Sequence, residues 1–430
     1  MQNGKRIVIV GGGAGGLELA SRLGKKFGKH DKTIITLVDS SPIHIWKPLL
    51  HEVAAGTLNS YGDELSYLAY ASSHYFQFCL GTMRGLDRAN KTIILAPLLD
   101  DQQQEIIPER SILYDILVIA VGSVSNDFNI PGVKEECLAI DNTEQALAFQ
   151  QRLIKVMMGL PYHVQDKTLS LAIVGGGATG VELAAELHYA LRQMAVYGFD
   201  FDPEKITINL IEAADCLLPA LSPRLSKLVR EKLEHLGIIV HTNEQVTRIT
   251  PDGIHTKSGK FIPATLKTWA AGVKAPEFLK NLGLEVNAIN QLIVKPTLQT
   301  TQDETIFAFG DCAYCVLEGS SKPVPPRAQA AHQQANFLVK AIAQFLEQKP
   351  LPAFRFHDYG SLISLSHYET VGNLMGRLTK SLMIEGMLAR IAYLSLYRAH
   401  QTALYGPWRV GMMIFADTLA QTVRPQLKLH

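Results

Sequence analysis

Long apolar runs are missing from this chain. No stretch reaches the roughly 18 consecutive apolar residues that a membrane-spanning helix needs, so no span is expected. Without spans or buried intramembrane charges there is nothing to carry a proton pump. Cysteine is sparse and odd in number, at Cys79, Cys137, Cys216, Cys312 and Cys315, which excludes a disulfide framework. A surplus of one sign of charge is missing too. The 41 Lys and Arg nearly cancel the 40 Asp and Glu, so nothing points to a nucleic-acid partner. The chain enters an apolar strand by Ile7, which leaves no room for a signal peptide, and a cytoplasmic location is expected. No metal site is expected.

What is present is a globular composition, 47% hydrophobic and 19% charged over 430 residues, enough for two or three domains. The organising stretch is Arg6–Leu17, RIVIVGGGAGGL. Ile7, Val8, Ile9 and Val10 are β-branched and apolar, as in a strand buried on both faces. Gly11, Gly13 and Gly16 then match G-x-G-x-x-G, with Gly12, Ala14 and Gly15 between them, and Leu17–Leu23 reads as a helix. Glycines let the backbone turn tightly and approach a pyrophosphate, and the helix N-terminus offers N–H groups and a partial positive charge. A second strand, 34–38, ends at Asp39, 23 residues after Gly16, where a carboxylate suits a ribose hydroxyl. This predicts an α/β fold of the dinucleotide-binding kind.

The pattern recurs. Leu169–Val174 reads as a buried strand, and Gly175, Gly177 and Gly180 repeat the motif around Ala178 and Thr179. Ile206–Ile211 is the next strand and ends at Glu212, 32 residues after Gly180. The extra length fits an extended helix and loop over 189–205. No arginine follows Glu212 to receive a 2′-phosphate, which favours NAD over NADP. Two motifs imply two dinucleotides, or one dinucleotide and a duplicated fold that has lost its ligand. Glu182 lies just inside the second glycine helix. It either serves chemistry there or simply favours the helix dipole.

Other stretches fill in the frame. Tyr114–Ala120 reads as a buried strand leading to Gly122, where small residues admit a ligand close to the backbone. Ala271 and Gly272 end a similar element. The 301–311 stretch is an apolar strand closing on Gly310-Asp311. Lys47, between two prolines, faces either a flavin or phosphate or the solvent. Gln329 and Gln333 are spaced i, i+4 and share one helix face, whether in a pocket or at the surface. Cys312 and Cys315 are read as structural thiols, since disulfide-exchanging flavoproteins place their pair differently.

The order of these motifs resembles the two-dinucleotide flavoproteins that include glutathione reductase. Three further stretches look like type II NADH dehydrogenase, the single-chain NADH:quinone oxidoreductase. They are His44–Gly56 (HIWKPLLHEVAAG), Ala328–Gln334 (AQAAHQQ) and Gly376–Lys380 (GRLTK). The resemblance spans almost the whole chain. It implies non-covalent FAD, NADH as substrate and a membrane quinone such as ubiquinone as acceptor, with no proton pumping. By resemblance Asp39 would hold the FAD ribose and Asp311 the ribityl or phosphate region. Lys47, Met83, Ala120, Gly122, Gly310, Ala328 and Gln329 would lie about the flavin. Glu212 would bind the NADH ribose, with Ala271 and Gly272 nearby. Glu182 would sit by the nicotinamide and flavin and be linked to proton delivery. Gln329, Gln333 and Lys380 would line the quinone pocket. Neutral amides suit that role, because they hydrogen-bond quinone carbonyls without charging an apolar pocket.

The expected organisation is an FAD-binding domain from 1–142 and 286–374, an inserted NADH-binding domain at 143–285, and a C-terminal module at 375–430. From Arg377 onward seven Lys or Arg face only Glu385 and Asp417. The stretch 380–398 and the Trp408–Ala416 stretch mix apolar, aromatic and basic residues. That pattern fits short helices lying in a bacterial inner membrane's cytoplasmic interface, or a homodimer interface, or both. The rival readings are a soluble NADH-dependent reductase of a small electron-transfer protein, a sulfide:quinone oxidoreductase, and a slow redox-sensing flavoprotein.

Overall fold

Arg6–Val10 is the middle strand of a five-stranded, all-parallel sheet. The order across it is 306–308, 116–119, 6–10, 34–39, 77–80. The computed structural model describes residues 4–29, 33–58, 64–163, 169–366, 368–374, 382–420 and 427. The Gly376–Lys380 motif, and Lys380 with it, lies outside the described residues. Ile7 to Val10 are buried, as a strand covered on both faces requires. Burying each such side chain contributes about 1.5–3 kcal/mol. The helices Ala14–Leu23 and Ala328–Leu346 pack on each other in this unit. An antiparallel sheet, 83–87, 92–95 and 110–113, belongs to it as well.

The second unit repeats the plan with a four-stranded parallel sheet, ordered 239–241, 206–211, 169–174, 266–269. Its core gathers Ala172, Val174 and Ile211 with Ile249, Ile254 and Trp269. The indole N–H of Trp269 donates to Asn126 O at 2.8 Å. The helices Thr143–His163 and Ala178–Val196 both pack against the short helix Leu50–Ala55.

The division between units falls at 124/125, 272/273 and 357/358, and Lys47–Gly62 belongs to the second unit. Each boundary comes before the expected 142/143, 285/286 and 374/375. For the first boundary the reason is hydrogen bonding. Leu138 N donates to Lys267 O and Asn126 N to Gly272 O, so 125–142 is already tied to the second sheet.

The tail also differs from expectation. Leu382–Glu385 is a strand of a three-stranded antiparallel sheet with 360–365 and 369–374. Leu382, Met383 and Ile384, counted toward an apolar helical surface, therefore stand in a strand. Pairing with 369–374 overrides their local spacing. Gly386, at φ +67°, turns the chain into the helix Met387–Tyr405, and Pro407–Ala420 follows. No helix among the described residues is long and apolar enough to cross a membrane.

Candidate functional sites, one in each unit

Both sites form at the carboxyl ends of parallel strands, where open α/β sheets receive ligands. In the first unit Gly11 has φ +102°, and a Cβ there would run into the Ala120 carbonyl. A Cβ on Gly16 would strike the Gly11 carbonyl. Only glycine closes this turn. Gly13 differs: a Cβ there would meet nothing within 4 Å. It is the N-cap of Ala14–Leu23, and no side chain caps that helix, so its first-turn N–H groups have no side-chain acceptor at the cap.

Asp39 sits where the first unit's second strand ends. Its Oδ2 accepts the Gly12 N–H at 2.6 Å and its Oδ1 the Ser41 N–H at 2.8 Å. Burial raises its pKa above the usual carboxylate range, against the pull of the backbone N–H groups of Ser41, Gly12 and Ser40. The Gly12 carbonyl is held as well. The Tyr67 hydroxyl donates to it at 2.6 Å, and His44 Nδ1 lies 3.1 Å away. Burial lowers His44 to about 4 and lifts Tyr67 well above its ordinary value. Sequence reasoning missed both residues, and no local spacing announces them.

Across the strand ends, Gly122 and Gly310 take φ +69° and +73°. The Ser123 hydroxyl donates to Asp311 Oδ2 at 2.8 Å, and Gln291 Nε2 donates to Asp311 O at 2.8 Å. Gln334, also missed, is buried and its Oε1 accepts the Gly310 N–H at 2.9 Å. Gln329 and Gln333 share the first turns of Ala328–Leu346 as the spacing predicts, and Ala328 opens it. The Gln333 amide, however, pairs both ways with the His357 backbone, at 2.8 and 3.0 Å. Met83 is buried at the start of the antiparallel sheet. Cys312 and Cys315 are free thiols, and burial pushes Cys312 up to about 12, out of reach of redox exchange near neutrality. An uncapped helix end, an open Gly13 and a half-buried carboxylate form a set of groups suited to a dinucleotide such as FAD.

The second unit builds the same cradle. Gly175 has φ +115° and leaves no room for a Cβ beside Ala270, and a Cβ on Gly180 would strike the Gly175 carbonyl. Gly177 is open and caps Ala178–Val196 without a side chain; in the first turn Ala178 and Thr179 are exposed and Gly180 is buried. Glu212 Oε2 accepts the Gly176 N–H at 2.6 Å, and Oε1 accepts the Ala214 N–H at 2.8 Å. The longer spacing before Glu212 therefore leaves its geometry unchanged. Ala271 and Gly272 (φ +65°) follow the adjacent strand. Lys47 opens a short 3-10 turn of this unit and is exposed.

Glu182 lies on the second glycine helix with its side chain 11% exposed. Its Oε1 accepts the N–H of Ser364, an outward group of the edge strand 360–365. Its Oε2 is 3.9 Å from His51 Nδ1. Burial raises Glu182 to about 8 despite the Ser364 N–H, and Glu186 one turn on adds to the rise. Burial lowers His51 to about 4, opposed by its hydrogen bond to the Pro48 carbonyl. The two groups meet as a neutral acid and a neutral imidazole at pH 7, so the close approach is no ion pair.

Known proteins match this architecture. Residues 5–335 match the pyridine nucleotide-disulphide oxidoreductase family. A type II NADH:quinone oxidoreductase of Haemophilus influenzae is 44% identical over 99% of this chain and 100% of its own length. Its counterpart in Staphylococcus aureus is 28% identical over 87% of this chain and 91% of its own. The solved structure of NDH2 from Plasmodium falciparum in complex with NADH shares the fold, with a TM-score of 0.84 at 21% identity over 99% of this chain and 100% of that one. The chain belongs to the pyridine nucleotide-disulphide oxidoreductases and, within them, to the type II NADH:quinone oxidoreductases.

Proposed function

We propose that this chain oxidises NADH through non-covalently bound FAD and reduces a membrane quinone without pumping protons. One observation carries the reading. Each unit holds an uncapped glycine cradle whose second glycine is fixed by a carboxylate, Gly12 by Asp39 and Gly176 by Glu212. That arrangement supports one dinucleotide per unit, and the relatives' names favour NADH and quinone. When bound, the flavin accepts hydride from the nicotinamide and passes two electrons to the quinone.

The chain's own residues do the rest. The first-turn N–H groups of Ala14–Leu23 bind the FAD pyrophosphate, with Asp39 on the ribose and Asp311 on the ribityl or phosphate region. The first turn of Ala178–Val196 binds the NADH pyrophosphate, and Glu212 its ribose. The Glu212 carboxylate also repels a 2′-phosphate, which sets the preference for NADH. Gln329, Gln333 and Lys380 receive the quinone. Quinone reduction consumes two protons, and Glu182 holds one at its carboxyl at neutral pH. The tail rests on the cytoplasmic face of a bacterial inner membrane and joins two copies.

The test is anaerobic stopped-flow on flavin-loaded protein. NADH should bleach the flavin fast, NADPH slowly, and a short-chain ubiquinone should restore the colour. Bleaching without quinone-driven recovery favours a reductase of a soluble acceptor. No bleaching by either nucleotide returns the sulfide:quinone reading.

A further inference from the structure

In the second unit a line of polar groups leads from Glu182 through His51 and Glu52, two residues that the proposed reaction leaves without a task. Glu182 Oε2 stands 3.9 Å from His51 Nδ1, and His51 Nε2 stands 3.9 Å from Glu52 Oε1. The His51 side chain is only 3% exposed, whereas that of Glu52 is 24% exposed. A buried carboxyl is thus linked to a partly solvated one through an imidazole that presents one ring nitrogen to each. The helix Leu50–Ala55 places His51 and Glu52 there by packing on Ala178–Val196. Among the described residues, the other groups near Glu182 are the Ser364 N–H and Glu186, whose carboxyl is met by the Thr57 and Ser366 hydroxyls rather than by a second titratable group. The Ser364 N–H belongs to a strand backbone, and Glu186 is itself buried.

We propose that His51 is the relay through which Glu182 regains its proton, taking it from Glu52 at Nε2 and giving it up at Nδ1. The inference rests on the reading of Glu182 as a proton source. Once Glu182 has yielded its proton, its Oε2 is an anion facing His51. The Nδ1–H bond breaks as the Oε2–H bond forms, and Nε2 gains a proton that Glu52 has drawn from solvent. No electrons move. The imidazole ends in its other tautomer and resets by rotating its ring. Each 3.9 Å gap must close by about 1 Å to reach hydrogen-bond length, within the reach of a side-chain torsion. The Pro48 carbonyl accepts a hydrogen bond from the resting ring, and the ring leaves that bond as it rotates.

The relay is read without turnover by infrared spectroscopy of flavin-loaded, full-length protein. The carboxylic C=O band of Glu182 is the band lost in Glu182→Gln, and its shift in D2O times proton exchange. His51→Ala should slow that exchange at least tenfold, and added imidazole should restore it. Glu52→Gln, at a partly exposed position, should slow it a few-fold with the fold undisturbed. In stopped-flow, His51→Ala should slow quinone-driven recovery of colour about tenfold and leave NADH-driven bleaching unchanged. Exchange at the wild-type rate in His51→Ala would overturn the proposal. So would the absence of any band that Glu182→Gln removes, or slowed exchange in His51→Ala that imidazole does not restore. Wild-type protein that reduces no quinone would sink the proposed function, and the exchange rates would still decide the relay.

Discussion

The Asp39 carboxylate accepts the backbone N–H of Gly12 at 2.6 Å, and so fixes the glycine turn before any ligand arrives. Its second oxygen takes the Ser41 N–H. An amide in its place offers one acceptor oxygen and turns an NH2 toward the other N–H. Asp39→Asn is therefore expected to cost about 1–3 kcal/mol of stability and to lower flavin retention. Scanning calorimetry and the 450 nm to 280 nm absorbance ratio read both effects. A wild-type melting temperature with full flavin content would refute this role.

Glu212 stands to Gly176 as Asp39 stands to Gly12, with the same 2.6 Å contact. Glu212→Gln should leave flavin content unchanged and raise KM for NADH about tenfold, the loss of one charge-assisted hydrogen bond. It should also narrow the gap between NADH and NADPH by removing a repelling charge. Steady-state kinetics with both nucleotides checks this.

The glycines of the first motif should separate by position. Gly16→Ala drives a Cβ into the Gly11 carbonyl, so it should fold poorly or not retain flavin. Gly13→Ala meets nothing within 4 Å and its φ of −57° suits alanine. It should melt within about 1 kcal/mol of wild type yet bind flavin more weakly, because its methyl enters the ligand's space. Equal flavin affinity in Gly13→Ala and wild type would count against a pyrophosphate there.

Most of this frame was legible in the sequence because it is written locally. β-Branched runs, glycine spacing and a terminal acid declare both cradles, and 32 rather than 23 residues before Glu212 has a simple cause. The second glycine helix runs 178–196 and a loop follows it, whereas the first runs 14–23. Contacts between distant segments were not legible. Tyr67 and His44 reach Gly12 across 55 and 32 residues, and nothing in their own neighbourhoods announces it. Ser364 meets Glu182 from a strand 182 residues on. The strand at Leu382–Glu385 was hidden for the same reason, since its partner strand decides its conformation.

Glu182 predicts a signature in pH. Its pKa of about 8 keeps the proton available at neutrality. Quinone-driven reoxidation should be flat below that value and fall toward tenfold per unit above it. Glu182→Gln should lose the break and run slower by roughly 10²-fold, the scale of general-acid contributions. Stability follows the same sign. Native Glu182 keeps a proton that an unfolded glutamate gives up above 4.5. Its contribution is therefore full below pH 4.5 and is lost as pH rises through about 8. Wild type should lose melting temperature relative to Glu182→Gln between pH 5 and 9. His51, lowered to about 4, acts oppositely: its contribution is full above 6.5 and is lost as pH falls toward 4.

The tail predicts where the molecule works. Trp408, Met412 and Phe415 are 80%, 55% and 68% exposed, at i, i+4 and i+7 of Pro407–Ala420, beside exposed Arg409. That spacing makes one apolar stripe, and a stripe left bare on the surface needs lipid or a second copy to cover it. If lipid covers it, Trp408→Ser with Phe415→Ser should weaken vesicle binding by at least tenfold, since each ring is worth about 1.5–3 kcal/mol of burial. Arg409→Gln should weaken binding to anionic vesicles alone, by about 1 kcal/mol, and the loss should vanish in high salt. If a second copy covers it, the double variant should elute as a monomer in light-scattering chromatography while vesicle binding stays at the wild-type level. The two measurements on one variant separate the occupants, because exposed positions such as these can be changed with little cost to the fold.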